Sequence, residues 1–262
     1  MKFINRAKAQ KKVGVSYLGG INLSSKMEKN VKIGVYTYVL YLAPAGTSGY
    51  NVCLYSTPEC RMGCLYSSGR VKIEDHSGTD RIKTARIKKT ILFHEHQEFF
   101  MAWIIAEITA LKAKAEREGY YFSVRLNGTS DIEWENIKYK GQNVMEIFPN
   151  TQFYDYTKNW KRFDTELPIK YHLTFSYTGR NLKQALSLLS KGFNVAVVFD
   201  DKNFPEIWNG YPTINGDLTD YRPYDGNGVV VALKYKELAN KEFNYKVRNS
   251  CFVVKTAVPE LV

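Results

Sequence analysis

Short runs of apolar residues separated by polar turns dominate the sequence from residue 35 onward. Several runs are rich in β-branched or aromatic residues, as is typical of strands. Two of them, 193–199 and 228–233, are almost unbroken, which is typical of strands covered on both faces. The predicted strands are 35–42, 120–126, 152–156, 170–176, 193–199, 228–233 and 250–256.

Apolar residues at three- and four-residue intervals predict helices between these strands. Gly119 and Gly192 follow the two longer stripes and end them. Because strands and helices alternate, the pattern predicts a parallel α/β sheet or barrel. We expect a single domain over residues 1–262, with a basic arm at 1–34. The predicted helices are 100–115, 143–148 and 181–191.

The chain is basic, with 37 Lys and Arg against 26 Asp and Glu and a formal net charge of +11. This excess favours a polyanionic partner, and segment 70–89 is the part best suited to bind nucleic acid. A basic surface that serves solubility is the alternative. The basic residues of the segment are Arg70, Lys72, Arg81, Lys83, Arg86, Lys88 and Lys89.

No run of residues approaches the ~20 apolar residues of a membrane-spanning helix. The N-terminus contains no apolar signal core either, so we expect a cytoplasmic protein without a membrane partner. In that reducing compartment, closely spaced cysteines indicate metal binding rather than disulfides.

Three of the four cysteines lie within twelve residues: Cys53, Cys60 and Cys64. Thiolates bind zinc and iron–sulfur clusters, and a set of three leaves one coordination position free. Zinc would have to recruit Cys251 or a distant histidine. A [4Fe–4S] cluster on three thiolates is the more economical interpretation, with reduced structural cysteines as the alternative. We expect Cys251 to be buried beside an apolar strand and not to be a ligand.

Polar residues follow the predicted strands where each strand ends. In parallel α/β folds, ligands bind at these carboxyl ends, so the polar groups are expected to line one mouth together with the cysteine loop. Residues of these types also form ordinary turns, which is the alternative explanation. The polar positions are Asn127, Thr129, Ser130, Ser176, Asp200, Asp217, Asp220 and Arg222.

A strand followed by a three-cysteine loop and then alternating helices and strands resembles the radical S-adenosylmethionine (SAM) enzymes. Their cysteines are usually separated by three and two residues, whereas here the separations are six and three. Segments 42–53, 60–70, 194–199 and 208–222 resemble more closely a family of poorly characterised bacteriophage proteins.

The resemblance implies a phage protein in the host cytoplasm, with a partial (βα)6 TIM-like barrel of the radical SAM type. It implies a [4Fe–4S] cluster on Cys53, Cys60 and Cys64, with the fourth iron open to SAM. An electron donor of the host would reduce the cluster, and cleavage of SAM would give a hydrogen-abstracting radical. The substrate is not specified.

Position at the strand ends suggests roles for the polar residues in such an enzyme. Three residues would hydrogen-bond the ribose or carboxylate of SAM: Asn127, Thr129 and Ser130. Two would face the adenosyl group or the substrate: Ser176 and Asp200. Three would anchor the substrate: Asp217, Asp220 and Arg222.

Two other function classes fit the same sequence. One is a non-enzymatic redox or nucleic-acid-binding module, in which a cluster or zinc stiffens the fold and Cys251 is the fourth ligand. The other is a hydrolase or nuclease that holds a hard metal ion with aspartates. Its candidate ligands are Asp200, Asp201, Asp217 and Asp220.

Overall fold

A computed structural model of the protein describes residues 13–21, 24–64 and 80–256. The strands are β1 Gly19–Gly20, β2 Val35–Leu40, β3 Tyr121–Arg125, β4 Gln152–Thr157, β5 Tyr171–Ser176, β6 Val195–Phe199, β7 Ile207–Trp208, β8 Tyr211–Asn215, β9 Val230–Lys234 and β10 Val253–Val254. The α-helices are α1 Ser25–Lys32, α2 Pro58–Met62, α3 Arg81–Glu95, α4 Gln97–Arg117, α5 Val144–Ile147, α6 Leu182–Ser190 and α7 Lys241–Arg248.

The strands form one mixed sheet in which most neighbours are parallel. Strands β2, β3, β4, β5, β6 and β9 lie side by side in sequence order, and β8 extends the parallel set beyond β9. The short strands β1 and β7 are antiparallel to their neighbours and form the two edges of an open sheet. β10 pairs with the carboxyl half of β6, beyond the point where β5 ends.

One face of the sheet is apolar and covered by helices. Helix α4 packs on β1, β2 and β3, and α6 packs on β5 and β6. The side chains of Phe100, Ile104 and Ile108 form the apolar stripe of α4 and are completely buried. Each of them contributes roughly 1.5–3 kcal/mol by leaving water. This face therefore contains the main core.

The opposite face of the sheet is mainly polar on β3, β4 and β5 and apolar on β6 and β9, where Ala196 and Val231 are buried in a small cluster of their own. Side chains alternate between the two faces along a strand, so the strand register places a row of polar groups on this second face. The chain that follows β8, residues 216–225, lies against them. The polar residues of this inner face include Thr37, Ser123, Arg125, Tyr154, Tyr156, His172 and Thr174.

A buried ion pair fixes segment 216–225 to the inner face. Nη1 of Arg125 on β3 lies 2.5 Å from Oδ2 of Asp220, and both side chains are buried. Oδ1 of Asn30 on α1 accepts hydrogen bonds from Thr219 Oγ1 at 2.9 Å and from Asp220 N at 3.0 Å. Tyr221 packs edge-on against Tyr154. The segment is held by charge and hydrogen bonds as much as by apolar contact.

The structure confirms an α/β fold with a mostly parallel sheet, and observed strands overlap all seven predicted ones. The predicted alternation of strands and helices is wrong at two connections. The one between β4 and β5 contains only the 3-10 helix Trp160–Asp164, and the one between β6 and β9 contains β7, β8 and the 3-10 helix Arg222–Tyr224. No helix is predicted in segment 70–89, but its described part from residue 81 belongs to α3, and residues 70–79 lie outside the described residues. The single domain stays a prediction.

No helix in the described part of the chain combines the length and apolar character that crossing a membrane requires.

The Arg125–Asp220 pair leads to a stability prediction. Replacing Asp220 by Asn leaves the buried Arg125 guanidinium without its counter-charge, and breaking a buried pair in this way costs about 3–5 kcal/mol. We expect urea unfolding of D220N to show that loss, and the double variant R125M/D220N to recover part of it. An unchanged midpoint for D220N would show that the pair does not hold the segment.

Candidate functional site

The three clustered cysteines lie on the connection that leaves the carboxyl end of β2. Thr57 caps α2 by accepting a hydrogen bond from Cys60 N at 3.2 Å, and Pro58 occupies the first helical position, where a missing N–H costs nothing. Cys60 is therefore in the short helix, Cys64 follows its end, and Cys53 precedes it in the loop.

The loop after β3 anchors this connection. Thr129 Oγ1 donates to the Leu42 carbonyl at 2.5 Å, and Asp131 N donates to the Val52 carbonyl at 2.8 Å. Gly128 N donates to the Leu40 carbonyl at 3.0 Å, and a Cβ on Gly128 would lie only 2.6 Å from that oxygen. Only glycine allows the two backbones to approach so closely.

Helix α2 is held from its other side by an ion pair. Oε1 of Glu59 lies 2.5 Å from Nη2 of Arg180, which is in the loop between β5 and α6. This hydrogen bond is the main reason that the pKa of Glu59 falls to about 2. Gly63 also packs against α7, since a Cβ there would lie 2.9 Å from Val247. The cysteine helix is thereby tied to two distant parts of the chain.

All three clustered cysteines border one cavity of ≈210 Å³ at the carboxyl edge of the parallel strands. Both basic and apolar residues border the cavity. The basic residues are Arg125, Lys158, Lys234 and Lys236, and the apolar residues include Val198, Leu233 and Phe252.

The electrostatics of this cavity centre on Lys158. Burial raises the pKa of Cys53 to about 11, although the Ala45 N–H and the Lys158 ammonium oppose the change. Burial lowers the pKa of Lys158, but Asp131 and the three cysteines outweigh it and leave the pKa above its usual range. At neutral pH the Cys53 thiol is protonated, because its pKa is far above that pH.

The donor chemistry of the cavity fits an iron–sulfur cluster, but the sulfurs are not gathered for one. Within the described residues, no three His, Cys, Asp or Glu side chains are close enough together to hold a metal ion. Three thiols at one cavity supply the soft ligands that a [4Fe–4S] cluster takes. Binding would require the loop from Cys53 to Cys64 to close inward, with loss of the thiol protons.

The residues expected to contact SAM divide into two groups. Asn127, Thr129 and Ser130 border the cysteine cavity. The hydroxyl protons of Thr129 and Ser130 are already used in hydrogen bonds. Ser130 Oγ donates to Asn127 Oδ1 at 2.8 Å, and Thr129 Oγ1 donates to the Leu42 carbonyl. Ser176 and Asp200 are not among the residues of this cavity. Asp200 instead accepts hydrogen bonds from Thr256 N and Thr256 Oγ1, at 2.9 and 3.1 Å.

The residues expected to anchor a substrate also divide. Asp217 borders the cysteine cavity, and its Oδ2 accepts a hydrogen bond from Lys234 N at 2.8 Å. Asp220 and Arg222 lie completely buried on the inner face. Asp220 pairs with Arg125, and Nη1 of Arg222 lies 3.1 Å from Oδ2 of Asp225. Any contact of these two with a substrate stays a prediction.

The expectation that Cys251 is buried is wrong, because its side chain is exposed. The chain turns sharply there before β10, and a Cβ on Gly179 would lie 2.1 Å from the Cys251 carbonyl oxygen. Cys251 is not among the residues of the cysteine cavity, whereas its neighbour Phe252 is.

The described part of the basic segment presents only some of its charges to solvent. Arg86 and Lys89 on α3 are buried, and Lys89 Nζ donates to the Leu18 carbonyl at 2.6 Å. Lys83 pairs with Asp80 at 2.9 Å. Arg81 and Lys88 are exposed.

Sequence reasoning missed the basic residues of the cavity. Lys158 directly follows β4, and its position after a strand is the same signal that selected Asn127. Lys234 ends β9, and Lys236 follows it closely. These residues were passed over because surface lysines are so common that strand-end position alone does not distinguish them.

The family comparison adds to this geometry. A family model for gene product 88, a phage protein family, matches residues 2–251. The chain belongs to the gene product 88 family. Similarity to a bacteriophage family is thus confirmed, and the link to radical SAM enzymes stays a prediction. No match was found among curated proteins or solved structures.

The four thiols of this gene product 88 protein should differ in reactivity. In cluster-free protein at pH 8, we expect a thiol-specific chromogenic disulfide to modify exposed Cys251 first and Cys53 last. A thiol with a pKa of about 11 is roughly one part in a thousand thiolate at that pH. The C251S variant should lose the fastest phase of the modification reaction, and the C53S variant should lose the slowest phase. Equal rates for all four thiols would contradict the buried position of Cys53.

Proposed function

We propose that the protein binds a [4Fe–4S] cluster through Cys53, Cys60 and Cys64 and uses it with SAM in radical chemistry. The observation that supports this most is the convergence of the three thiols on one cavity at the carboxyl edge of the parallel strands. Three thiolates leave one iron without a protein ligand, and a small molecule with amino and carboxylate groups can occupy it.

The strand order supports the finer proposal of a partial (βα)6 barrel. Six parallel strands, β2 to β6 and β9, are adjacent in the order in which they occur in the chain. Such an order brings the loops after the strands together at one end, where barrel enzymes have their active sites. The cysteine connection after the first of the six strands would then border the mouth.

Lys158 supports the proposal electrostatically. Three thiolates bring negative charge into a half-buried cavity, which is unfavourable without a nearby cation. Lys158 stands among the three cysteines, so its ammonium would offset that charge. Asp131 Oδ2 accepts a hydrogen bond from Lys158 N at 2.8 Å, which fixes the backbone that carries this lysine.

When bound, the cluster supplies the electron, received from a donor of the host, that cleaves SAM reductively. The chain's own residues position the ligand and exclude water. Thr129 and Ser130 can accept hydrogen bonds from a ribose hydroxyl or ammonium group, because their own protons are donated elsewhere. Val198, Leu233 and Phe252 provide the apolar wall.

Cluster binding can be tested by anaerobic reconstitution with iron and sulfide. We expect about four irons per chain, loss of the intact cluster in C53A, C60A and C64A, and an unchanged cluster in the matched control C251A. Adding SAM to the reduced protein should change the paramagnetic resonance spectrum and yield 5′-deoxyadenosine. Stoichiometric zinc without iron in the anaerobic protein would refute the cluster.

A binding role towards nucleic acid is the second candidate, favoured by a groove of ≈390 Å³ beside α3. Gly14, Ser16 and Tyr17 form one side of it, and Arg81 and Lys88 supply positive charge on the other. Phosphate contacts by such residues would be sequence-independent and would weaken as salt rises.

The nucleic-acid role can be tested with single- and double-stranded oligonucleotides at two salt concentrations. We expect binding that weakens with salt and is reduced in R81Q/K88Q but not in K140Q/K183Q, which removes the same charge from exposed sites elsewhere. Absence of binding at low salt would leave the charge of α3 as a solubility feature.

A further inference from the structure

A second cavity, of ≈390 Å³, adjoins the cysteine cavity. Four lysines from three parts of the chain border it: Lys29 of α1, Lys202 after β6, and Lys234 and Lys236 at and just after the end of β9. Its size falls within the ~300–1,000 Å³ that is usual for small-molecule sites. We call it the lysine cleft.

The residues that border the lysine cleft include more basic than acidic side chains. Four lysines and one aspartate, Asp217, line it, and Asp201 is close enough to Lys234 for that lysine to contribute to lowering the pKa of Asp201. A lining of this composition attracts anions. A phosphate monoester, which carries between −1.5 and −2 at neutral pH, is an anion of suitable charge.

The lysine cleft and the cysteine cavity are adjacent. Asp217, Lys234, Tyr235 and Lys236 border both and form a shared wall. This wall is held in place, because Asp217 Oδ2 accepts from Lys234 N and the Asp217 carbonyl accepts from Lys29 Nζ. A ligand whose anionic end is held at Lys234 and Lys236 would therefore lie beside the cysteine cavity.

Apolar and aromatic side chains form part of the walls of both cavities. Phe204 and Leu218 border the lysine cleft, and Val198, Leu233 and Phe252 border the cysteine cavity. Aromatic and aliphatic side chains of this kind pack against flat organic rings. The two cavities together thus offer cations for a phosphate and apolar surface for an organic group.

We propose that the lysine cleft binds the phosphate group of a nucleotide-like substrate, whose organic part extends towards the cysteine cavity. The ammonium groups of Lys202, Lys234 and Lys236 would donate to the phosphate oxygens. The idea that the organic end of the ligand reacts rests on the proposed function. Phosphate binding is independent of it, because the cluster would be held by cysteines and the phosphate by lysines.

Calorimetry on cluster-free protein tests the proposal, with adenosine 5′-monophosphate as the probe and adenosine as its phosphate-free counterpart. We expect the monophosphate to bind and adenosine to bind at least about tenfold more weakly, because charge-assisted hydrogen bonds are lost. The variant K202Q/K234Q should lose at least about tenfold in affinity. The control K140Q/K183Q, which removes the same charge from exposed sites, should bind as the wild type does.

Three results would overturn the proposal: no preference for the monophosphate over adenosine, equal affinity in K202Q/K234Q at an unchanged melting temperature, or binding of a single-stranded oligonucleotide without binding of the mononucleotide. The last would assign the lysines to a nucleic-acid strand. Because the assay uses cluster-free protein, failure of cluster assembly does not affect it, and the two proposals can fail separately.

Discussion

The ion pair between Arg125 and Asp220 connects the two halves of the sheet across the inner face, which is only partly apolar. Asp220 belongs to the chain that follows β8, whereas Arg125 is on β3, five strands away in the sheet. A buried guanidinium requires a counter-charge, so the segment that carries Asp220 is held under the inner face. That position also brings Asp217 to the strand edge, where it contacts Lys29 and Lys234. Both cavities depend on this placement.

Parallel strands explain why the cysteines meet the other polar groups. The connections that follow β2, β3, β4 and β9 all leave the same edge of the sheet, and each contributes residues to the cysteine cavity. Close approach at Gly128 joins two of these connections, and the Glu59–Arg180 pair attaches α2 to the loop after β5. The cysteine connection is therefore held both where it leaves β2 and at the short helix that contains Cys60.

The sequence predicted those parts of the fold in which local pattern and burial agree. Strand β6 is recognisable by its continuous apolar run and helix α4 by its regular apolar stripe, and both patterns are visible in the local sequence. Helix α3 was missed because Lys and Arg interrupt its apolar positions, and Arg86 and Lys89 are buried there despite their charge. The three cysteines could be selected by their spacing. The burial of Asp220 and Arg222 could not, because it depends on pairing with residues distant in the chain.

The two cavities share cations, and this sharing links what each can bind. Lys234 and Lys236 border both cavities, so an anion in either cavity is attracted by the same two ammonium groups. With protonated thiols, these lysines and Lys158 face no anion from the cysteine loop, and the site favours an anionic ligand. Thiolates gathered on a cluster would draw Lys158 first, since it stands among the three cysteines. Lys202, which borders only the lysine cleft, would remain for the phosphate together with Lys234 and Lys236. In the proposed complex, Lys158 in one cavity and Lys202 in the other would therefore offset the charge of a cluster and the charge of a phosphate separately.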